Sequence, residues 1–402
     1  MGKKTLSNDN YTAVYDNVTQ GGKQSPTGAA EERMRSGLGL DPLVDPKGPA
    51  HLGPIRRSLP RLEMIAGKDN PLRGLWLMTC GPSIAIERLL DTTGSMGNNV
   101  SLAFDSLPHS FDMLKAGKKP VLGRYDPQMA SSIFNDLEDR YPDKIPVLAR
   151  TQFEMDEKIA LQMAMLTPGY GGKANGKEDP QFGLFAAAYL TAAANFLRYG
   201  IRSYHFTTSD EPTAERIEFP WLEKVFGEEI LKYLKENGFS FTAQTLPDTG
   251  RMVTDLQQQA HAFFLQVGNR SDVTEQWTEF YGTDHVVKLP NTGTLYLHCV
   301  EAVIIGLTEG TLSLGRAAGY LKLHGVPEED ARSIVRAVAH IPVGAQMLCP
   351  NFNKLPKVGD VFRNKTDTWP LTQDELDKLT EKSGVDVDAS ADRPAVGPEW
   401  VL

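Results

Sequence analysis

The chain has 402 residues, a formal net charge of −9, and a composition of 41% hydrophobic and 23% charged residues. That is enough apolar material for one large or two modest cores. The acidic balance excludes a polyanion-binding surface, because phosphate contacts need Lys and Arg gathered on one face. The three cysteines, Cys80, Cys299 and Cys349, are widely spaced and contain no C-x-x-C pair, which excludes a disulfide framework and a thiolate zinc site.

Residues 1–70 read as an N-terminal extended, Pro-rich arm, partly disordered. Polar residues and Gly dominate to about Gly39, and Pro42, Pro46, Pro49, Pro54 and Pro60 then forbid long helices. The opening MGKKTLSNDN lacks an apolar signal segment. No run approaches the ~18 apolar residues of a membrane span. The expectation is a cytoplasmic chain with no membrane and no nucleic-acid partner. The Arg56-Arg57 pair is too small a basic patch to change that, and is expected to be solvated.

Strand and helix signals alternate from there. Ile84 to Leu90 reads as a strand, interrupted by Glu87 and Arg88 and ending at Asp91. Leu102, Leu107, Phe111 and Leu114 have helical spacing. Met129–Phe134 is a second strand, closed by Asn135-Asp136, and a short strand follows near Val147-Leu148. A helix over Asp156–Leu166 leads into a Gly-rich loop, Thr167–Asp179, which opens a long buried helix from Phe182 to Tyr199. Ile201–Thr207 is a strand that runs into Thr208-Ser209-Asp210-Glu211-Pro212. A helix over Trp221–Asn237 stops at Gly238. Ala262–Val267 is a strand ending at Gly268-Asn269. Thr294–Gly306 is a buried helix, and Ser313–Gln346 a helical pair broken at Gly325 and Pro327. In the tail, Thr372 and Glu375 form a capping box ahead of Leu376 and Leu379.

Alternation of this kind implies an α/β fold with a mainly parallel central sheet flanked by helices. Ligands of such sheets bind beyond the carboxyl ends of the strands. Asp91, Asp210 and Asn269 all follow predicted strands, which puts them at one edge.

In Asp91-Thr92-Thr93-Gly94-Ser95, alternate residues of an extended loop project to the same side. Asp91, Thr93 and Ser95 thus supply one carboxylate and two hydroxyls. These are hard donors suited to Mg2+, Ca2+ or Mn2+ rather than zinc. Asp210 supplies a second carboxylate from another strand. The plain alternative is that Asp91 and Asp210 cap helices.

The segment Asp91-Thr92-Thr93-Gly94-Ser95-Met96 resembles the metal-ion-dependent adhesion site of von Willebrand factor A domains, in the form of bacterial-type members, and Thr208-Ser209-Asp210 resembles the later Thr-Asp-Gly motif of that family. Glu211 stands where Gly is usual. The Gly-rich stretch from Gly169 to Pro180 and the segment Gln152-Phe153-Glu154-Met155-Asp156 are similar to a glycine-rich subgroup. The resemblance implies a Rossmann-like three-layer sandwich over residues 71–310 as the metal-binding domain, with a C-terminal helical extension at 311–363 and a tail at 364–402. It implies a divalent-cation site of Asp91, Thr93, Ser95 and Asp210. The middle loop offers no clear hydroxyl, and Glu178 and Asp179 are its better ligands, Glu178 being the one carried in the set.

The function implied is a metal-dependent protein-interaction module whose partner completes the shell with an Asp or Glu, acting as adaptor or assembly component, with an AAA+ ATPase as one class of partner. A structural component with an incidental metal site and a metal-dependent hydrolase remain as alternatives. The second lacks a visible general base or nucleophile motif. Gly171-x-x-x-x-Gly176-Lys177 mimics a phosphate loop, but Glu178 stands where Ser or Thr should bind magnesium. Glu211 is expected to be solvated surface, His205 a satisfied core residue and Cys80 a small buried one, while His109, His285 and His298 lack metal-ligand spacing.

Overall fold

A computed structural model of the chain describes residues 28–49, 53–58, 62–64, 76–78, 82–137, 146–155, 158–169 and 177–355. In chain order the strands are β1 (Arg56–Ser58), β2 (Leu62–Met64), β3 (Trp76–Met78), β4 (Ser83–Asp91), β5 (Asp126–Phe134), β6 (Leu148–Arg150), β7 (Thr191–Ala193), β8 (Ser203–Ser209), β9 (Ala260–Gln266) and β10 (Val286–Lys288). The helices are α1 (Gly28–Arg35), α2 (Asn99–Ser106), α3 (Lys158–Met163), α4 (Gln181–Tyr189), α5 (Ala194–Tyr199), α6 (Phe219–Phe226), α7 (Ile230–Glu236), α8 (Thr249–Gln259), α9 (Ser271–Tyr281), α10 (Leu297–Glu309), α11 (Leu314–Leu323) and α12 (Glu328–Ala337).

The central sheet has six strands in the order β10-β9-β8-β4-β5-β6, parallel throughout except for β6, which runs antiparallel to β5. Alternating side chains of each strand feed two separate cores. Ile84, Ile86, Phe263 and Leu265 enter one with the residues of α2, α10, α11 and α12. Leu89, Ala262 and Phe264 enter the other with those of α4, α6, α8 and α9. The molecule is therefore an α/β three-layer sandwich, with a mainly parallel sheet between helical layers.

Glu87 and Arg88 do not interrupt β4, because each has a partner on its own face. Arg88 Nη2 lies 2.6 Å from Glu301 Oε2 and donates to Ser110 Oγ at 2.9 Å. On the other face Arg150 Nη2 donates to Glu87 Oε1 at 3.0 Å. The strand runs unbroken for nine residues to Asp91.

The predicted helix over Phe182–Tyr199 is corrected to α4, β7 and α5. Leu190 leaves the helical conformation at φ −119°, ψ 20°, and β7 then pairs in parallel with β1, Arg56 opposite Thr191. Arg56 N–H donates to Leu190 O at 2.8 Å, and Arg150 Nη2 to Thr191 Oγ1 at 2.8 Å. The opened backbone gives the Arg56 N–H an acceptor that a continued helix would have used itself, and the Thr191 hydroxyl gives one to the buried Arg150 guanidinium. Arg56 is thus not solvated: it is 1% exposed, and burial together with the nearby charge of Arg150 lowers its pKa to about 9.

Other boundaries shift for local reasons. The helix predicted over Trp221–Asn237 is split into α6 and α7 at Gly227, which sits at φ +92°. The helix predicted from Leu102 to Leu114 is α2 followed by a 3-10 turn at Leu107–His109, where Pro108 enters, and a π turn at Asp112–Ala116. Both α8 and α9 are additional to the sequence reading. Their sequences are polar on one side, yet Met252, Val253 and Leu256 of α8 and Val273, Trp277 and Tyr281 of α9 are buried. Thr372, Glu375, Leu376 and Leu379 lie outside the described residues, as do Cys80 and residues 170–176 of the Gly-rich loop. Among the described residues no helix is long and apolar enough to cross a membrane.

Candidate metal centre

The centre forms where β4, β5 and β8 end at one edge of the sheet. Leu90 of β4 stands opposite Thr208 of β8, and Asp91 opposite Phe134 of β5. Chain order reverses here, since β4 is followed in sequence by its neighbour on one side and later by its neighbour on the other. Such a switch point opens a crevice at the carboxyl ends of the strands.

Asp91 is fully buried at the floor. Its Oδ1 accepts from Thr93 N at 2.9 Å and Thr93 Oγ1 at 2.6 Å, and its Oδ2 accepts from Ser209 Oγ at 2.6 Å. Thr93 is extended, at φ −72° and ψ 168°, and the chain then tightens into a 3-10 turn over Gly94–Met96 anchored by buried Met96. This turn carries Ser95 outward to an exposed position, with Thr93 Oγ1 and Ser95 Oγ 3.2 Å apart. Ser95 Oγ donates to Asp210 Oδ1 at 2.8 Å. Asp91, Thr93, Ser95 and Asp210 are thereby joined in one chain of contacts, graded from a buried floor to an open rim.

Glu178 joins them from the end of the Gly-rich loop. Its N–H donates to Pro212 O at 2.9 Å, which fixes the segment beside the β8 loop. Its side chain is 6% exposed, with Asp91, Asp136 and Thr93 near enough to act on its carboxyl. Asp179 has a different part. Its carboxylate accepts from Leu137 N at 2.7 Å and from Gln181 Nε2, so its oxygens are taken up in holding the loops together.

Sequence reasoning missed three participants. Ser209 holds Asp91, and its position immediately before Asp210 was the available signal. Asp136, just past β5 and 3% exposed, is near enough for its charge to act on Glu178. Arg270 ion-pairs with Glu211 and also with Asp272 at 2.6 Å. Glu211 is therefore not free solvated surface: it is bound to Arg270, and its N–H donates to Ser209 Oγ at 3.2 Å. Asn269 follows β9 at the same edge and is exposed; the next residue, Arg270, is the one that reaches the cluster.

The electrostatics are those of buried acids whose nearby counter-charge, Arg270, stands at the rim beside Glu211. Burial pushes the Asp91 carboxyl up to about 7, with the like charge of Asp210 adding to the effect and the donors Ser209 and Thr93 opposing it. Burial, then the charge of Asp91 and the contact with Asp136, drive Glu178 far above the ordinary carboxylate range. Asp210 is also raised by burial, against the donor Ser95 and the charge of Arg270. Glu178 Oε2 is buried with no hydrogen-bond partner. Such a set of hard oxygens, with an orphaned buried acceptor among them, fits a divalent cation. Among the described residues no three His, Cys, Asp or Glu side chains converge to hold an ion by themselves. The hydroxyls of Thr93 and Ser95 are therefore integral to any shell formed here.

No family model and no curated protein matches the chain. Among solved structures it is similar to proximal thread matrix protein 1 from the mussel byssus, once in a second crystal form and once with a zinc-occupied metal-ion-dependent adhesion site. Each of these matches at 11% identity and a TM-score of 0.34, over 56% of this chain and 48% of that one. It is also similar to the pilus adhesin SpaC from Lactobacillus rhamnosus GG, at 12% identity and a TM-score of 0.37, over 61% of this chain and 34% of that one. The chain thus spans about half the length of the first protein and a third of the second. These similarities are too low to bear on function.

The histidines stand apart from the centre. His205 is 2% exposed, its Nε2 lies 3.1 Å from Thr207 Oγ1, and burial lowers its pKa to about 4 despite Glu87 at 3.9 Å. It is a neutral core residue. His298 lies beside Cys299 Sγ at 3.2 Å and near the ring of His109, and burial lowers its pKa to about 3.

Proposed function

We propose that this chain is a metal-ion-dependent protein-interaction module. Asp91, Thr93, Ser95, Asp210 and Glu178 would hold a divalent cation, Mg2+ or else Ca2+ or Mn2+, as the oxygen-only donor set favours. When bound, the ion supplies a positive point with a coordination position for a carboxylate from outside.

The observation that carries the reading is the gradient across the centre. Asp91 is fully buried and Thr93 is 1% exposed, whereas Ser95 is exposed and Asp210 half-buried. Charge is anchored at the floor, where a cation would neutralise it, and the open rim faces solvent. A partner Asp or Glu is the group that such a rim suits. Its role would be to dock, since the hydroxyls of Thr93 and Ser95 are already engaged with Asp91 and Asp210.

An adaptor or assembly role, with an AAA+ ATPase as the partner class, follows from the family resemblance in the sequence and belongs to the same proposal. The test is affinity capture of partners with wild-type chain and with Asp210→Ala, each with and without chelator. Partners lost on chelation and lost in the variant support the reading. A partner set indifferent to both overturns it.

A further inference from the structure

A cavity of about 220 Å3, lined by none of the metal-centre residues, lies between α1 with the turn that follows it and the end of α3. Its walls are the apolar side chains of Met34, Leu40, Leu161, Ala164 and Met165. Leu40 and Met165 pack on the core shared by α2 and α10, and Ala164 is 3% exposed, so these walls are firm. Leu161 is 36% exposed, which leaves one side open to solvent.

The same cavity carries one charge of each sign. Arg33 and Asp41 both line it, and both are half-buried. Arg33 Nε donates to Gly39 O at 3.0 Å, which ties the guanidinium to the turn that carries Asp41. Asp41 Oδ1 accepts from Leu43 N at 3.0 Å, which fixes the carboxylate in turn. Among the described residues both Nη groups of Arg33 and the second oxygen of Asp41 have no partner, and the two side chains do not pair with each other.

A guanidinium fork takes a carboxylate through two parallel N–H bonds, and a carboxylate oxygen accepts from an ammonium. Opposite charges held apart beside an apolar recess match a molecule that has both charges next to one apolar group. A peptide terminus offers only one of those charges, and a fatty acid only the negative one. Volume sets the size of the apolar group. A dry apolar cavity of about 150 Å3 holds benzene, so this one has room for a side chain as large as that of leucine, methionine or phenylalanine.

We propose that this cavity binds a free α-amino acid with a large apolar side chain, its carboxylate on Arg33, its ammonium on Asp41 and its side chain among Met34, Leu161 and Met165. The site stands apart from the cation reading and does not depend on it.

The experiment is isothermal titration calorimetry on the purified full chain in chelator, which removes any cation that could take the amino-acid carboxylate. L-leucine is the probe and glycine the control. Leucine without its ammonium (4-methylpentanoate) and without its carboxylate (3-methylbutylamine) are titrated beside it. Each of these two is expected to bind about tenfold or more weakly than leucine, the loss of one charge-assisted hydrogen-bonding group. Asp41→Asn, which keeps an acceptor for Leu43 N, is expected to lose about the same factor for leucine and nothing for 4-methylpentanoate. Arg33→Gln is expected to lose it for leucine and nothing for 3-methylbutylamine. A merely structural part for either residue would weaken every ligand alike. If a variant does not fold, the two analogues on wild type still decide. Leucine binding no tighter than glycine, or both analogues binding as well as leucine, overturns the inference and leaves the metal reading untouched.

Discussion

Arg88 Nη2 and Glu301 Oε2 lie 2.6 Å apart in the interior, joining the central strand β4 to α10 across 213 residues of chain. The pair is the reason a charged dipeptide can sit mid-strand, and it fixes α10 against the sheet. Removing one member leaves the other charge buried and alone. Glu301→Gln is expected to destabilise the fold by about 3–5 kcal/mol. The double replacement Arg88→Met with Glu301→Leu should cost less than the sum of the single changes at the same positions. Urea unfolding of the four proteins in that cycle is the measurement, and strictly additive losses would contradict the coupling.

At Gly183, α4 lies directly against Leu89 of the sheet. A Cβ there would stand 2.3 Å from Leu89 Cδ1 and 2.5 Å from Cδ2, and Leu89 is 1% exposed with nowhere to swing. Gly183→Ala is expected to cost about 1–3 kcal/mol by overpacking, even though Ala is the better helix former. Adding Leu89→Ala should return part of that loss. A Gly183→Ala protein as stable as wild type would show that the two elements separate freely.

Glu309, at the end of α10, accepts from Tyr204 Oη at 2.8 Å, Tyr125 Oη at 3.1 Å and Gln346 Nε2 at 3.2 Å. Burial nevertheless raises its pKa to about 7 from 4.5. The folded state therefore holds a proton that the unfolded chain has released, so this group's contribution is full below the unfolded value and is lost as pH rises through the folded one. Stability attributable to Glu309 should fall between about pH 4.5 and pH 7, by on the order of 3 kcal/mol. Glu309→Gln is expected to flatten that part of the stability profile and to be the more stable protein in mild alkali. Parallel pH profiles of the two proteins would refute the assignment.

The metal reading has its own stability signature. Saturating Mn2+ at about a hundred times Kd should stabilise wild type by roughly 2.7 kcal/mol, read as a rise in melting temperature. Asp91→Asn retains an acceptor for Thr93 and removes a buried charge, so its metal-free melting temperature is expected to match or exceed wild type while the Mn2+ response disappears. A variant that melts early and still responds to Mn2+ would assign Asp91 a structural part only.

Much of this was legible in local pattern. The apolar runs 84–90, 129–134, 201–207 and 262–267 are strands, and the carboxylate and hydroxyls of Asp91-x-Thr93-x-Ser95 meet Asp210 at one sheet edge as strand ends in a parallel sheet should. The periodicity of a segment depends only on which side of it faces the core, and that information is written in neighbouring residues.

What the sequence could not carry was contact between distant segments. The break of the Ala-rich stretch at Leu190 comes from β1, more than a hundred residues earlier, where the Arg56 backbone N–H donates to the Leu190 carbonyl. Asp136 carries no local motif, and its backbone is held at this sheet edge because Asn135 and Leu137 are tied to two other loops. Glu178 and Asp179 are chemically alike and adjacent, yet one carboxylate is consumed by Leu137 and Gln181 while the other keeps a buried oxygen without a partner. Residue types and spacing determined the donors available to this protein and the sheet edge that gathers them. The tertiary structure alone decided which acids face one another, because burial and hydrogen-bond competition are settled between segments that meet only on folding.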